Sequence, residues 1–320
     1  RTPTTNPIQM KKLTVFCATA CLAASAAAQN HPDLHEVLDR QKGRNLIEIP
    51  KGTYTLDVRS NGPYKFHNLT DVHINGNGST VICNNQEQAF SFYNCVRVEL
   101  RDLTIDYDPL CFTQGEITAV AEDGSWFDVR IDEGYPVTGL AANRVQFYDP
   151  QTRLLKRNSI TTYTSNYSAL KQLGHNLFRA VKNGTWSAGE QVGDLVVMDV
   201  KTDKPNAGVH TVMLNKCYNT KLENVTVYGS NTFSFFEKEG YANEYRNCVV
   251  DRGPMPQGIR PRLRSGNADG IHSSQARKGP TVTGCKVGHN GDDCIIVCGR
   301  SFPVGSVSYT HLRAHETDQY

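Results

Sequence analysis

The sequence has no apolar stretch long enough to span a bilayer, no excess of one charge, no pair of Cys-x-x-C units and almost no helical periodicity. Each absence removes a class of protein. Thirty-four Lys and Arg against thirty-two Asp and Glu leave a formal charge of +2, so the balance draws the chain neither to nucleic acid nor to an anionic membrane. Without paired Cys-x-x-C units a structural zinc site has no ligand set. One helix candidate stands out, His31 to Gln41, with Leu34, Val37 and Leu38 on one face. What remains is a series of short runs rich in Val, Ile, Thr and Tyr, broken by Asn, Gly and Asp, which predicts an all-β fold. With 320 residues the chain is long enough for one large elongated domain or two ordinary ones.

Both termini read as something other than this fold. Residues 1–28 are expected to be upstream sequence and an export signal. Met10-Lys11-Lys12 supplies the positive start, Leu13 to Ala24 a short apolar run, and Ala26-Ala27-Ala28 the small residues before cleavage at Gln29. Export predicts a periplasmic or extracellular bacterial protein. Cys17 and Cys21 would leave with the signal, and the other eight cysteines need not form disulfides in a chain this long. Residues 306–320 are expected to be a non-native tail, because Val307 to Thr317 matches a translated sequencing-transposon adapter; the natural sequence would then continue differently beyond Gly305.

Between the termini a degenerate unit recurs. Leu100-Arg101-Asp102-Leu103-Thr104-Ile105, Leu222-Glu223-Asn224-Val225-Thr226-Val227, Tyr245-Arg246-Asn247-Cys248-Val249-Val250 and Val282-Thr283-Gly284-Cys285-Lys286-Val287 share one scheme. An apolar residue is followed by a polar one, then Asn, Asp or Gly, then alternating apolar positions. Such a unit every twenty-odd residues predicts a solenoid with apolar residues inward and Asn or Gly at the corners. A β-sandwich also has short strands and turns, but the constant phase of the corner residue favours the solenoid. Cys248 and Cys285 hold equivalent places and are expected to stack inside it. Asn45 to Tyr54 predicts a strand, a Pro-Lys-Gly turn and another strand. From about residue 109 to 208 the pattern changes to hairpins, with Asn183-Gly184 among the turn signals, which predicts an inserted antiparallel subdomain. The expected coils are therefore 29–108 and 209–305, the second carrying a loop from Arg252 to Ser265.

The chemistry concentrates in Asn267-Ala268-Asp269-Gly270-Ile271-His272 and Gly291-Asp292-Asp293-Cys294-Ile295. Asp269 and Asp292 stand one coil apart, so stacking would bring them about one strand spacing, roughly 4.8 Å, from each other. Three carboxylates in one patch cannot all ionise freely, and at least one should hold its proton near neutral pH. Glycosidic cleavage needs that division: one carboxylic acid protonates the leaving oxygen while another carboxylate activates water or attacks the sugar. Asp292 and Asp293, as neighbours, should not both face outward on a regular strand, and Gly291 is expected to permit a bend. Asn and Asp at solenoid corners can also do no more than cap turns.

Asn-Ala-Asp-Gly-Ile followed by Gly-Asp-Asp-Cys-Ile resembles the motif pair of polygalacturonases. It also resembles bacterial β-helix α-1,3-galactosidases, which interrupt the early solenoid with a β insertion as Leu103 to Pro109 and its following hairpins do here. The resemblance implies a right-handed parallel β-helix of the pectin-lyase type and an inverting glycoside hydrolase with catalytic Asp269, Asp292 and Asp293. By the polygalacturonase likeness Asp292 would be the general acid, with Asp269 and Asp293 holding the water. No cofactor or metal is implied. Ala268 stands where polygalacturonases have Thr, and their Gly-His-Gly and Arg-Ile-Lys motifs are not seen. Substrate-binding candidates are Asn267, His272 and Arg264. Arg260, Arg262 and Arg264 together could hold a uronate, or be a solvated basic loop; Trp126, Trp186, Tyr218 and Phe233 could stack on sugars or be core. The expected partner is a glycan, galactose-terminated or acidic. A Ca²⁺-dependent polysaccharide lyase and a non-catalytic carbohydrate-binding or adhesion module are the alternatives.

Overall fold

A computed structural model describes residues 31–200 and 209–299. The expected export segment within 1–28 and the expected tail 306–320 lie outside the described residues. Helix α1 (Leu34–Asp39) occupies the middle of the predicted helix. Asp33 caps it by accepting from His35 N, and Leu34 and Leu38 are buried. The chain continues through β1 (Leu46–Glu48), β2 (Thr53–Leu56), the single-turn α2 (Val58–Asn61), β3 (Tyr64–His67), β4 (Thr70–Cys83), β5 (Phe90–Tyr93) and β6 (Val96–Tyr107). β1 and β2 do not fold back on each other. Both run parallel to β4, with Leu46 opposite His73 and Thr53 opposite Thr80. Pro50-Lys51-Gly52 thus carries the chain onward along one edge, because β4 offers pairing partners to both strands.

After an excursion, the same pattern resumes with β14 (Val212–Asn215), β15 (Lys221–Val227), β16 (Phe235–Lys238), β17 (Glu244–Arg246), β18 (Val249–Val250), β19 (Ile271–Ser274), β20 (Thr281–Thr283), β21 (Lys286–Val287) and β22 (Ile295–Cys298), the excursion itself holding β7 to β13. The chain alternates between two parallel sheets. One runs β1-β4-β6-β15-β17-β20 with β2, β18 and β21 alongside; the other runs β3-β5-β14-β16-β19-β22. Leu100, Leu222, Tyr245 and Val282 are successive partners across the first sheet. Each buried apolar residue in such a column contributes roughly 1.5–3 kcal/mol.

The corners have a local cause. Asp102, Asn224 and Asn247 all adopt left-handed backbone (φ 55, 53 and 51), which Asn and Asp tolerate better than other side chains. Asn224 Nδ2 donates to Asp102 Oδ1 at 2.9 Å, so the corner residues also bond to each other. The fourth repeat has Gly284 (φ 67), where a Cβ would collide with Asn247 Oδ1. All eight described cysteines are free thiols; Cys248 is fully buried and its N–H donates to Cys285 Sγ at 3.3 Å.

The excursion forms one antiparallel sheet from β7 (Phe112–Val120), β8 (Trp126–Ile131), β9 (Leu140–Tyr148), β10 (Thr162–Tyr163), β11 (Tyr167–Gln172), β12 (Leu177–Lys182) and β13 (Leu195–Val200), ordered β10-β9-β13-β7-β8-β12-β11. It has its own core around Phe112, Phe127, Phe147 and Val196. Asn183-Gly184 makes no hairpin: β12 pairs with β11 and β8, and Asn183 N donates back to Asn166 O. Segment 252–265 ties this sheet to the parallel coils. Leu263 joins the antiparallel core, its N–H donating to Gln114 Oε1, while Arg262 grips Asp106 through two 2.8 Å bonds.

Candidate active site

Asp269 leads into β19, and Asp292 and Asp293 lead into β22. Ile271 pairs with Ile295 and His272 with Ile296, so the rung offset here is 24 residues. Asp269 therefore stands opposite Asp293, and Gly270 N donates to Asp293 O at 3.0 Å. The 23-residue motif spacing predicts Asp292 as the partner of Asp269 instead. Asp292 lies one residue earlier, in a non-strand bend, and both members of the pair are exposed, as are Cys294 and Ile295 after them. Gly291 serves close approach rather than left-handed backbone. Its N–H donates to Gly266 O at 2.9 Å, and a Cβ there would strike Asn267 O.

The three carboxylates converge, with one oxygen of each within 4.8 Å of the other two. Their surroundings differ. Asp269 is 4% exposed, and its Oδ2 sits 2.6 Å from His272 Nδ1. Burial pushes its carboxyl above the usual range; His272 opposes that, and the charges of Asp292 and Asp293 add to it. Asp292, about half exposed, accepts from Arg144 Nη2 at 2.7 Å. Arg144 comes from β9 of the antiparallel sheet, and its Nη1 donates to Asn267 O at 2.7 Å. No local sequence signal marked Arg144, which lies 148 residues from Asp292. The three oxygens are the one grouping of His, Cys, Asp or Glu sized for a metal ion among the described residues. Arg144 and His272 already place cationic or proton-donating groups on two of them, where a cation would compete.

His272 is the one expected substrate-binding residue beside the carboxylates. Its ring stacks on Phe233 at 4.2 Å, and Phe233 stacks on His210 at 4.7 Å, the three rings coming from successive rungs although His272 is in register with Phe236. Both faces of Phe233 are thereby covered, leaving none for a sugar. Trp126 and Trp186 are likewise occupied, Trp126 under the Arg179 guanidinium and Trp186 beside Lys182. His210, another residue with no sequence signal, bonds Thr232 Oγ1 at 2.9 Å; burial first, then the nearby His272, lowers it to about 4.

Asn267 and Arg264 lie behind the carboxylates instead of facing a ligand. Asn267 is buried, its Nδ2 donating to Cys111 O at 2.8 Å and its Oδ1 accepting from Arg264 Nη1. Arg264 is fully buried, with Nη1 on Asp199 Oδ1 and Nη2 on Gln146 Oε1, both at 2.8 Å. Neither it nor Arg262 belongs to a solvated basic loop, and neither is free to hold a uronate. Arg260 pairs with Asp132 at 3.1 Å. A buried guanidinium persists only where carboxylates and carbonyls meet it, and here the inserted sheet and Asp106 supply them.

No family model matches the sequence, and no curated protein does. Among solved structures, the tailspike protein gp49 from Pseudomonas phage LKA1 is similar at 11% identity and a TM-score of 0.19, over 78% of this chain and 43% of that one. The chain thus spans less than half of the tailspike's length.

Proposed function

We propose that the chain is a glycoside hydrolase on a right-handed parallel β-helix, using Asp269, Asp292 and Asp293 as its acid–base machinery. The alternation of the chain between two parallel sheets supports the β-helix, and right-handed crossovers between parallel strands are the general rule. The observation that carries the activity is the convergence of three carboxylates in unlike settings: one recessed and pushed toward its protonated form, one in an open ion pair, one open and beside both. Such unequal pairs are how one site keeps an acid and a base together.

The motif resemblance assigns the general acid to Asp292 and the holding of water to Asp269 and Asp293, whereas the environments point the other way. Asp269 is the carboxyl raised toward its protonated form and Asp292 the one ion-paired to Arg144, so the division of roles rests on the resemblance. Inversion rests on the resemblance alone: the nearest oxygens lie within 4.8 Å, closer than the roughly 6.5–9.5 Å between carboxyl groups typical of inverting enzymes. The arginines around the site are committed to protein carboxylates and carbonyls, which favours a neutral sugar such as α-linked galactose over a uronate. Export of the chain is proposed on residues 10–28.

The test is hydrolysis of nitrophenyl α-galactoside against polygalacturonate, with the product anomer followed by proton NMR. Release of galactose as the β-anomer supports the reading. Unsaturated, ultraviolet-absorbing products would instead indicate a lyase, and no turnover of any α-glycoside would leave a binding module.

A further inference from the structure

We propose that Arg144, carried on the inserted antiparallel sheet, is a positioning residue for Asp292, so that the insertion contributes a side chain to the site. The proposal rests on the glycosidase reading above. Arg144 spans two partners with one guanidinium, the Asn267 carbonyl at 2.7 Å and the Asp292 carboxylate at 2.7 Å. Its side chain is only 15% exposed, against 48% for Asp292, so it reaches the open carboxylate from a largely desolvated side. A planar fork with fixed N–H directions can hold a carbonyl and a carboxylate at a set angle, which a lysine ammonium cannot.

The anchor is itself held. Asn267 is clamped through its side chain by Arg264 and the Cys111 carbonyl, and Arg264 is locked to Asp199 and Gln146. Gln146 belongs to β9, the strand that carries Arg144, and Asp199 to β13, which pairs with β9. Arg264, Asn267, Arg144 and Asp292 therefore form one connected chain of polar contacts running from the buried interface to the surface carboxylate. Tyr163, paired with Arg144 across β9 and β10, places its ring 5.7 Å from the guanidinium.

The charged and titratable groups facing Asp292 are Arg144 from β9, Asp269 with its partner His272 from β19 and its lead-in, and Asp293 from its own segment. Arg144 is the cation in direct contact with Asp292, among two like charges. Removing it should free the Asp292 carboxylate from the angle at which the fork holds it.

The experiment compares the full chain with Arg144→Gln and Arg144→Lys by steady-state kinetics and by carboxyl ¹³C NMR of labelled aspartate at one pH. A misplaced catalytic group can lose about 100-fold in rate, and Arg144→Gln is expected to approach that loss in kcat with KM changed less than about two-fold. Arg144→Lys should recover part of the rate. An unchanged kcat in both variants overturns the proposal. If the parent chain turns over no glycoside, the glycosidase reading fails by itself and the NMR decides the remainder: an Asp292 carboxyl signal that shifts at fixed pH on Arg144→Gln supports the hold, and one that stays overturns it.

Discussion

Asp269 and Asp293 occupy one column of the second parallel sheet, joined by the 3.0 Å bond from Gly270 N to Asp293 O, while Asp292 stands one residue out of register and bonds across to Arg144. Two carboxylates are thus placed by rung stacking, and the third by a contact with another sheet.

Replacing Asp292 or Asp269 by Asn should lower kcat on the α-galactoside by about 10²–10⁴-fold, the usual contribution of a positioned acid or base. Thermal unfolding should show the variants fully folded. Retention of more than a tenth of the parent rate in both would remove the carboxylates from the mechanism.

Asp269 also makes a prediction about stability. Its carboxyl is raised mainly by burial, so between the unfolded value of about 3.9 and its native value the folded chain holds a proton that the unfolded chain has lost. Stability therefore falls as pH rises through that window. Asp269→Asn removes this dependence. In urea unfolding, the variant's midpoint relative to the parent should improve from pH 3 to pH 7; a constant offset would show that Asp269 carries no such cost.

His210 titrates with the opposite sign. Burial lowers it to about 4, so below its unfolded value of about 6.5 the unfolded chain binds a proton that the folded chain refuses. Its contribution is fully present above that pH and is lost as pH falls through the window, by up to roughly 3 kcal/mol. His210→Phe keeps the stack on Phe233 and should flatten the fall in unfolding free energy between pH 7 and pH 4. An equally steep fall in the variant would place the acid sensitivity elsewhere.

Arg264→Met leaves Asp199 buried with its principal partner gone. Asp199 is already pushed up to about 6 by burial, with Arg264 opposing that rise. Breaking one side of such a pair costs about 3–5 kcal/mol, whereas Arg260→Ala, on a more exposed pair, should cost under about 1 kcal/mol. Chemical denaturation of the two variants checks the contrast. Similar small losses would mean that the buried pair does not hold the segment 252–265 in place.

The repeat itself determined the stacking. An inward apolar residue, then Asn, Asp or Gly, acts through local sterics that need no distant partner, and Asp102, Asn224, Asn247 and Gly284 accordingly turn the chain at one shared corner. The same periodicity was enough to bring Asp269 near the Asp292-Asp293 pair. Only the tertiary structure decided which of that pair shares a rung, because one residue of coil length changes the partner. It also decided the fate of the arginines: whether a guanidinium is solvated depends on Asp106 and Asp199, which lie 156 and 65 residues away. Arg144 and the stacked His210 depend in the same way on contacts between separate stretches, and no local pattern encodes a contact whose two halves fold in different sheets or on different rungs.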